Sequence, residues 1–208
     1  MSLTAGDAER LAECLAGDGL ALIPTDTVYG LACNPSSELA LRRVYELKRR
    51  PPLKPAAVMF FTLDAALEAL SEIGPRTRAA ILALLPGPVT LLLANPGGLF
   101  PLACAPGDTH SGLLGLRVPL FDGALDAFTA VNVPAAQSSA NISGGPDPRS
   151  LGEVPIELRE GVDLTFDGGE LAGIASTVID LSDYERAGRW QVVREGPFGR
   201  DAVAAALA

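Results

Sequence analysis

Histidine is almost missing from this 208-residue chain, with His110 its single instance. With no second histidine and no cysteine near it in sequence, a histidine-rich metal site is excluded. A Ser-His-Asp triad would have to use His110, which sits in the Gly-rich stretch "APGDTHSGLLG", a poor scaffold for a held base. Cysteine is scarce too. Cys14, Cys33 and Cys104 are odd in number, far apart and without a C-x-x-C spacing, so they read as reduced packing residues and not as a disulfide or zinc framework. No apolar run is long enough to span a bilayer. The N-terminal stretch "MSLTAGDAERLAECLAGDG" lacks the basic start and apolar centre of a signal peptide, which predicts a cytoplasmic protein with no membrane contact. Positive charge is also short: 16 Lys+Arg against 25 Asp+Glu leave a net charge of -9, and aromatic residues make up 5%. A sequence-independent nucleic-acid binder would carry the opposite balance, so any RNA contact must be local or made with a partner. Neither a G-x-x-x-x-G-K-[ST] phosphate loop nor a G-x-G-x-x-G after a strand is present. A nucleotide, if bound, is held by another device.

The composition, 48% hydrophobic and 20% charged, is that of a globular chain, and its length suits one domain. No repeat, low-complexity segment or long linker divides residues 1–208; the nearest thing to a boundary is the Gly/Pro-rich loop 95–113. Helix and strand signals alternate, which predicts an α/β layered domain. Helices are expected over 4–16 (Thr4 as cap), from Ser36 or Ser37 to about Arg49, and over 64–70, 75–85, 123–131 and 201–208. Strands are expected at 20–23, 56–61, 89–94, 115–119 and 133–139, and near 164–166, 176–181 and 191–194.

Several stretches carry chemistry. In the second helix, Leu41, Val44 and Tyr45 form the apolar stripe, and Lys48 falls on the same stripe at its end. Such a lysine either snorkels to the edge or points into a cleft. Pro51 and Pro52 stop the helix. Lys48, Arg49, Arg50 and Lys54 gather four of the sixteen basic residues within seven positions. A basic last turn complements the helix dipole, but a cluster this dense in an acidic chain also suits a polyphosphate. In "QSSANISGGPDP" (137–148), hydroxyls, an amide and flexible backbone N–H groups can hold phosphate oxygens or the water shell of Mg²⁺, or simply form a polar turn. Arg117, inside the apolar "GLRVP", needs an anionic partner from the protein or a ligand. Thr90 follows a Gly-Pro turn, Ser176 opens a strand, and Arg194 ends one. Between two apolar segments stands "PTDT", with Thr25, Asp26 and Thr27; Asp26 could simply cap a turn.

In order, "PTDTVYGL", "KRRPPLKP", "GPVT", "LRVP", "SSANISG", "STVID" and "VREG" resemble the YrdC-like family, and within it the single-domain, TsaC-type threonylcarbamoyl-AMP synthases. The resemblance spans about residues 6 to 200. It implies the YrdC-like fold, a single layered α/β domain with a twisted mixed β-sheet flanked by helices. It also implies a nucleotidyltransferase that makes threonylcarbamoyl-AMP from L-threonine, bicarbonate and ATP with Mg²⁺, releasing pyrophosphate. Separate transferase-complex proteins would then pass the threonylcarbamoyl group to the adenosine beside the anticodon of tRNA, with at most weak tRNA contact here. By motif, Thr25, Thr27, Tyr29, Arg117 and Ser176 would hold threonine. Lys48 and Arg50 would be catalytic and, with Lys54, Thr90, Ser139, Asn141 and Arg194, would bind ATP, whose phosphates carry the Mg²⁺ without a dedicated protein metal site. Two positions depart from many relatives: Lys54 stands for Asn, and Met59 for a His that contacts the threonine end. The alternatives are a YciO-like paralogue and an RNA-binding module, neither with this synthase activity.

Overall fold

The computed structural model describes residues 2–51, 55–104 and 112–208. Lys54 and His110 lie outside the described residues. Among the described residues nine strands form one mixed sheet in the order β7-β1-β2-β6-β3-β5-β4-β8-β9. They are β1 (Leu20–Ile23), β2 (Gly30–Cys33), β3 (Ala57–Met59), β4 (Val89–Ala94), β5 (Leu113–Arg117), β6 (Ala135–Ser139), β7 (Leu164–Thr165), β8 (Thr177–Asp180) and β9 (Gln191–Arg194). The β1/β7, β3/β5 and β4/β8 pairs are parallel and the other neighbours antiparallel. The helices are α1 (Ala5–Ala16), α2 (Glu38–Leu47), α3 (Leu63–Ala69), α4 (Pro75–Leu84), α5 (Pro101–Cys104), α6 (Ile156–Glu160), α7 (Tyr184–Ala187) and α8 (Arg200–Ala206).

Local chemistry fixes the main elements. Thr4 and Asp7 form a capping box at the start of α1: the Asp7 N–H donates to Thr4 Oγ1 at 3.2 Å, and the Thr4 N–H donates to the Asp7 carboxylate at 3.0 Å. Leu11 and Leu15 of α1 then pack on one sheet face with Phe61, Phe121, Phe128 and Phe166. Leu41 and Val44 of α2 and Ile81 and Leu84 of α4 belong to the larger core on the opposite face. Strand β1 is buried on both faces, which is why it reads as a continuous apolar run.

The structure corrects several sequence-based boundaries. β2 is a strand that the pattern did not reveal, because "GLAC" opens on glycine and has no β-branched residue; it is buried on both sides like β1. Residues 123–130 form a 3₁₀ segment and not an α-helix, with the Thr129 hydroxyl donating to the Asp126 carbonyl at 2.7 Å. The loop 95–113 contains the short helix α5, and two further short helices, α6 and α7, carry too few residues for a periodic signal. β3 is confined to Ala57–Met59, shorter than the expected 56–61.

Helix α2 stops at Leu47, two residues before the expected end. Its terminus is a Schellman motif: Arg49 N–H donates to Glu46 O and Arg50 N–H to Tyr45 O, at 3.0 and 2.9 Å. The motif requires a left-handed residue, and the chain uses Arg49 at φ 50° where glycine is favoured. Because the Arg49 side chain is exposed, Arg49→Gly is expected to relieve the strain without opening a cavity. It should stabilise the protein by about 1 kcal/mol, roughly 2–4 °C in thermal midpoint, as calorimetry would show.

Burial pushes the thiols up: Cys33 to about 12, Cys104 to about 11, and Cys14 above its ordinary value. Thiolate is therefore scarce near neutrality. A colorimetric disulfide reagent at pH 8 is expected to react slowly with these three in the native protein and rapidly once urea unfolds it.

Candidate functional site

The Schellman turn throws the chain after α2 back toward the sheet and buries the Lys48 side chain, 1% exposed, under the end of β6. Its ammonium donates to the carbonyls of Ser139 and Asn141, the latter at 2.9 Å, and to Asn141 Oδ1 at 3.0 Å. The Ser139 hydroxyl donates to the same Oδ1 at 2.9 Å, while Asn141 Nδ2 donates to Gly145 O at 2.6 Å. Lys48 thus organises the loop after β6 and places a positive charge beneath it. Next to it Arg50 donates to Ser138 Oγ at 3.1 Å and lies over the Tyr45 ring at 5.8 Å. Burial pulls its pKa down, opposed by Tyr45.

A second set gathers around β5. Arg117 is 3% exposed. One guanidinium nitrogen donates to Gly87 O and Val89 O, and the other to the Asp26 carboxylate and to Thr27 Oγ1 at 3.3 Å. Asp26 also accepts from the Leu120 N–H at 3.1 Å. Burial lowers the Arg117 pKa, and the Asp26 charge opposes that. Thr90, beside Arg117 in the β4/β5 register, shares a 2.8 Å hydroxyl–hydroxyl bond with Ser176. Arg194 donates to Ser176 O at 3.1 and 2.8 Å and to Ser176 Oγ at 3.2 Å.

Both sets open into one cavity of about 520 Å³. Of the residues expected from sequence, Thr27, Lys48, Arg50, Thr90, Arg117, Ser139, Asn141, Ser176 and Arg194 line it. Four of these are cationic, so an acidic protein has concentrated positive charge where an anionic ligand would sit.

The remaining threonine-site expectations are revised. Thr25 does not line the cavity: it is buried, its hydroxyl donating to Val28 O at 2.8 Å and accepting from the Thr27 and Val28 N–H groups, which shapes the turn. Tyr29 points away as well. Its hydroxyl donates within the 167–169 segment, to Asp167 at 3.1 Å or Gly169 O at 2.9 Å, and accepts from the Gly168 N–H. Burial pushes it to about 12. Tyr29 therefore clamps that segment and is no wall of the pocket. Met59 sits beside Arg117 in the β3/β5 register, fully buried in the Phe61–Phe121–Phe128 cluster.

Sequence reasoning left Asp26 ambiguous; the structure makes it the anionic partner that Arg117 required. It also passed over Gln137 and Asp147, which line the cavity too. The i, i+2 relation of Gln137 to Ser139 on one strand was the available signal for the first.

The sequence model of the Sua5/YciO/YrdC family, described as "Telomere recombination", matches residues 13–196. The chain belongs to this family. Among curated Sua5/YciO/YrdC relatives it is 34% identical over 167 residues to a threonylcarbamoyl-AMP synthase of Pyrococcus abyssi, covering 79% of this chain and 48% of that protein. It is also 34% identical over 193 residues to the mouse threonylcarbamoyl-AMP synthase, covering 89% of this chain and 65% of the relative. The chain thus spans about half to two thirds of the length of these relatives. The crystal structure of P. abyssi Sua5 complexed with L-threonine superposes with a TM-score of 0.83 at 29% identity, over 99% of this chain and 58% of the other.

Proposed function

We propose that this chain is a nucleotidyltransferase that makes L-threonylcarbamoyl-AMP from L-threonine, bicarbonate and ATP, with release of pyrophosphate. The observation that carries the reading is a single cavity with a Lys48–Arg50–Asn141 end suited to phosphates and a Thr27–Arg117–Ser176 end suited to a small hydroxylated amino acid. Relatives named threonylcarbamoyl-AMP synthase and a threonine-bound neighbour support it.

The amine nitrogen of threonine attacks the carbon of bicarbonate. A C–N bond forms, and the departing hydroxide takes an amine proton to leave as water. A carbamate oxygen then attacks the α-phosphorus of ATP; the bond to the bridging oxygen breaks, and pyrophosphate leaves with the electron pair. Lys48 and Arg50 stabilise the charge on the phosphates, and Thr90, Ser139, Asn141 and Arg194 complete the ATP contacts. Thr27, Arg117 and Ser176 position threonine. No protein nucleophile is needed.

Mg²⁺ enters with ATP and supplies charge neutralisation on its phosphates. Among the described residues no group of three His, Cys, Asp or Glu could hold a metal. The cavity-lining oxygens of Ser139, Ser143 and Asp147 are hard donors that fit a phosphate-bound Mg²⁺. Threonylcarbamoyl-transferase proteins acting on the adenosine beside the tRNA anticodon would consume the product, and the cytoplasm is the compartment in this reading. The test is threonine- and bicarbonate-dependent pyrophosphate release from MgATP. Release no greater than that of a Lys48→Ala control would overturn the reading.

A further inference from the structure

Between the two ends of the cavity the floor is nearly bare. Gln137 of β6 stands opposite Ala32 of β2 and Ala57 of β3. The next strand contributes Gly115, where an added Cβ would lie 3.4 Å from Ala57 Cα. In the row Ala32–Gln137–Ala57–Gly115, Gln137 is the one long side chain. Two residues along β6 is Ser139, whose carbonyl holds Lys48. Two residues along β5, on the other side of the row, is Arg117. At about 3.3 Å of rise per residue, the Gln137 row lies roughly 7 Å along the strands from each, and Arg117 is a further two strands, about 10 Å, across the sheet. Gln137 therefore stands in the gap between the two ends, on the phosphate side.

A second observation is independent of this placement. A Cβ at Gly30 would lie 2.4 Å from Gln137 Nε2 and 3.3 Å from its Cδ. The amide lies over Gly30 and occupies the space a side chain would take. Among the described residues no hydrogen bond to this amide is found, although it lines a cavity crowded with paired polar groups.

We infer that the Gln137 amide holds the carbamate of the amino-acid substrate for attack on ATP, and that Gly30 is the residue that makes room for it. The inference rests on the synthase reading above. A carbamate presents an N–H and an oxygen on one edge; a glutamine amide presents an acceptor oxygen and a donor N–H on its own edge, so two parallel hydrogen bonds form. Bicarbonate, with an O–H and an oxygen on one edge, can form the same pair, so the amide can hold the carbon dioxide unit before and after the C–N bond forms. A neutral amide also orients the anionic group without neutralising the oxygen that must attack phosphorus, as an ammonium there would.

The test uses the full chain and two readouts: pyrophosphate release, and calorimetric binding of threonine with and without bicarbonate in the presence of a non-hydrolysable ATP analogue. In Gln137→Leu, kcat/KM is expected to fall roughly 10- to 100-fold, the loss of hydrogen bonds to a charged group. Binding of the ATP analogue and of threonine alone should persist, while the bicarbonate-dependent gain in threonine affinity disappears. Gln137→Asn, which keeps the amide but withdraws it by one methylene, should behave the same way and covers the case that the leucine variant folds poorly. Gly30→Ala should reproduce the loss. Adding Gln137→Ala to it should restore most of the thermal stability without further loss of activity, a residual contact at 3.3 Å to Ser138 O remaining. Wild-type kcat/KM and an intact bicarbonate gain in both Gln137→Leu and Gln137→Asn would overturn the inference and leave the synthase reading standing. No pyrophosphate release by the wild type would overturn the synthase reading and this inference with it.

Discussion

Asp26→Ala is expected to cost about 3–5 kcal/mol of folding free energy, because it strands the Arg117 guanidinium inside the protein. The pair is closed from water, Arg117 being 3% and Asp26 10% exposed on their side chains. The same substitution also deprives the Leu120 N–H of its acceptor and loosens the turn that presents Thr27. Two carbonyls, Gly87 O and Val89 O, still bind the guanidinium, but neither supplies negative charge. Urea denaturation would measure the loss, and a change below about 1 kcal/mol would contradict the argument. Replacing both members, as Asp26→Leu with Arg117→Met, should recover much of the stability, since no charge is then left buried. That double variant should remain inactive if Arg117 positions threonine. Stability and activity would separate at a single ion pair.

Lys48→Met is expected to have the larger effect on activity. Methionine keeps the length and apolar stem but removes the ammonium that ties Ser139 O, Asn141 O and Asn141 Oδ1 together. Asn141 would lose its tie to the ammonium, and the loop would be left with the Ser143 N–H donating to Lys48 O at 2.8 Å and the Asn141 bonds to Ser139 and Gly145. Removing one preorganised charged donor from such a site lowers kcat by about 10²–10³-fold. Loss of the loop geometry should weaken ATP binding as well. The checks are pyrophosphate release and calorimetric ATP titration. The carbonyls of Ser139 and Asn141 would lose the ammonium, while Asn141 Oδ1 keeps the Ser139 hydroxyl, and stability would fall by about 1–3 kcal/mol for each acceptor left unpaired away from water. Unchanged ATP affinity and turnover in Lys48→Met would remove the lysine from the mechanism.

The polar residues of the site were legible in the sequence because the chemistry is unusual for their surroundings. A lysine on an apolar stripe and an arginine in an apolar strand both called for a partner. The partners themselves were not legible, since Asp26 lies 91 residues before Arg117, and Ser139 and Asn141 lie about as far beyond Lys48. Thr25 and Tyr29, expected at the threonine end, do not line the cavity. Position in "PTDTVYGL" says that a residue is near the site, but neighbouring residues between β1 and β2 turn to different sides. Tyr29 went to the 167–169 segment while Val28, next to it, lines the cavity. The sheet was legible where strands were long and uniformly apolar. It failed at β2, which opens on Gly30 and carries no β-branched residue, and at the order of strands, which depends on crossovers that local pattern does not encode.

The sheet's last strand bears on how substrate arrives. Arg194 projects to the cavity from β9, which pairs with β8 alone, across an irregular register at Val178 and Ile179, and is largely exposed along its length. The opposite walls belong to central strands whose rupture would break the core. One side of the site is therefore the sheet's margin, held by the Arg194–Ser176 hydrogen bonds and the reciprocal Thr177–Phe198 pair. Local opening costs less at such an edge than in the central strands.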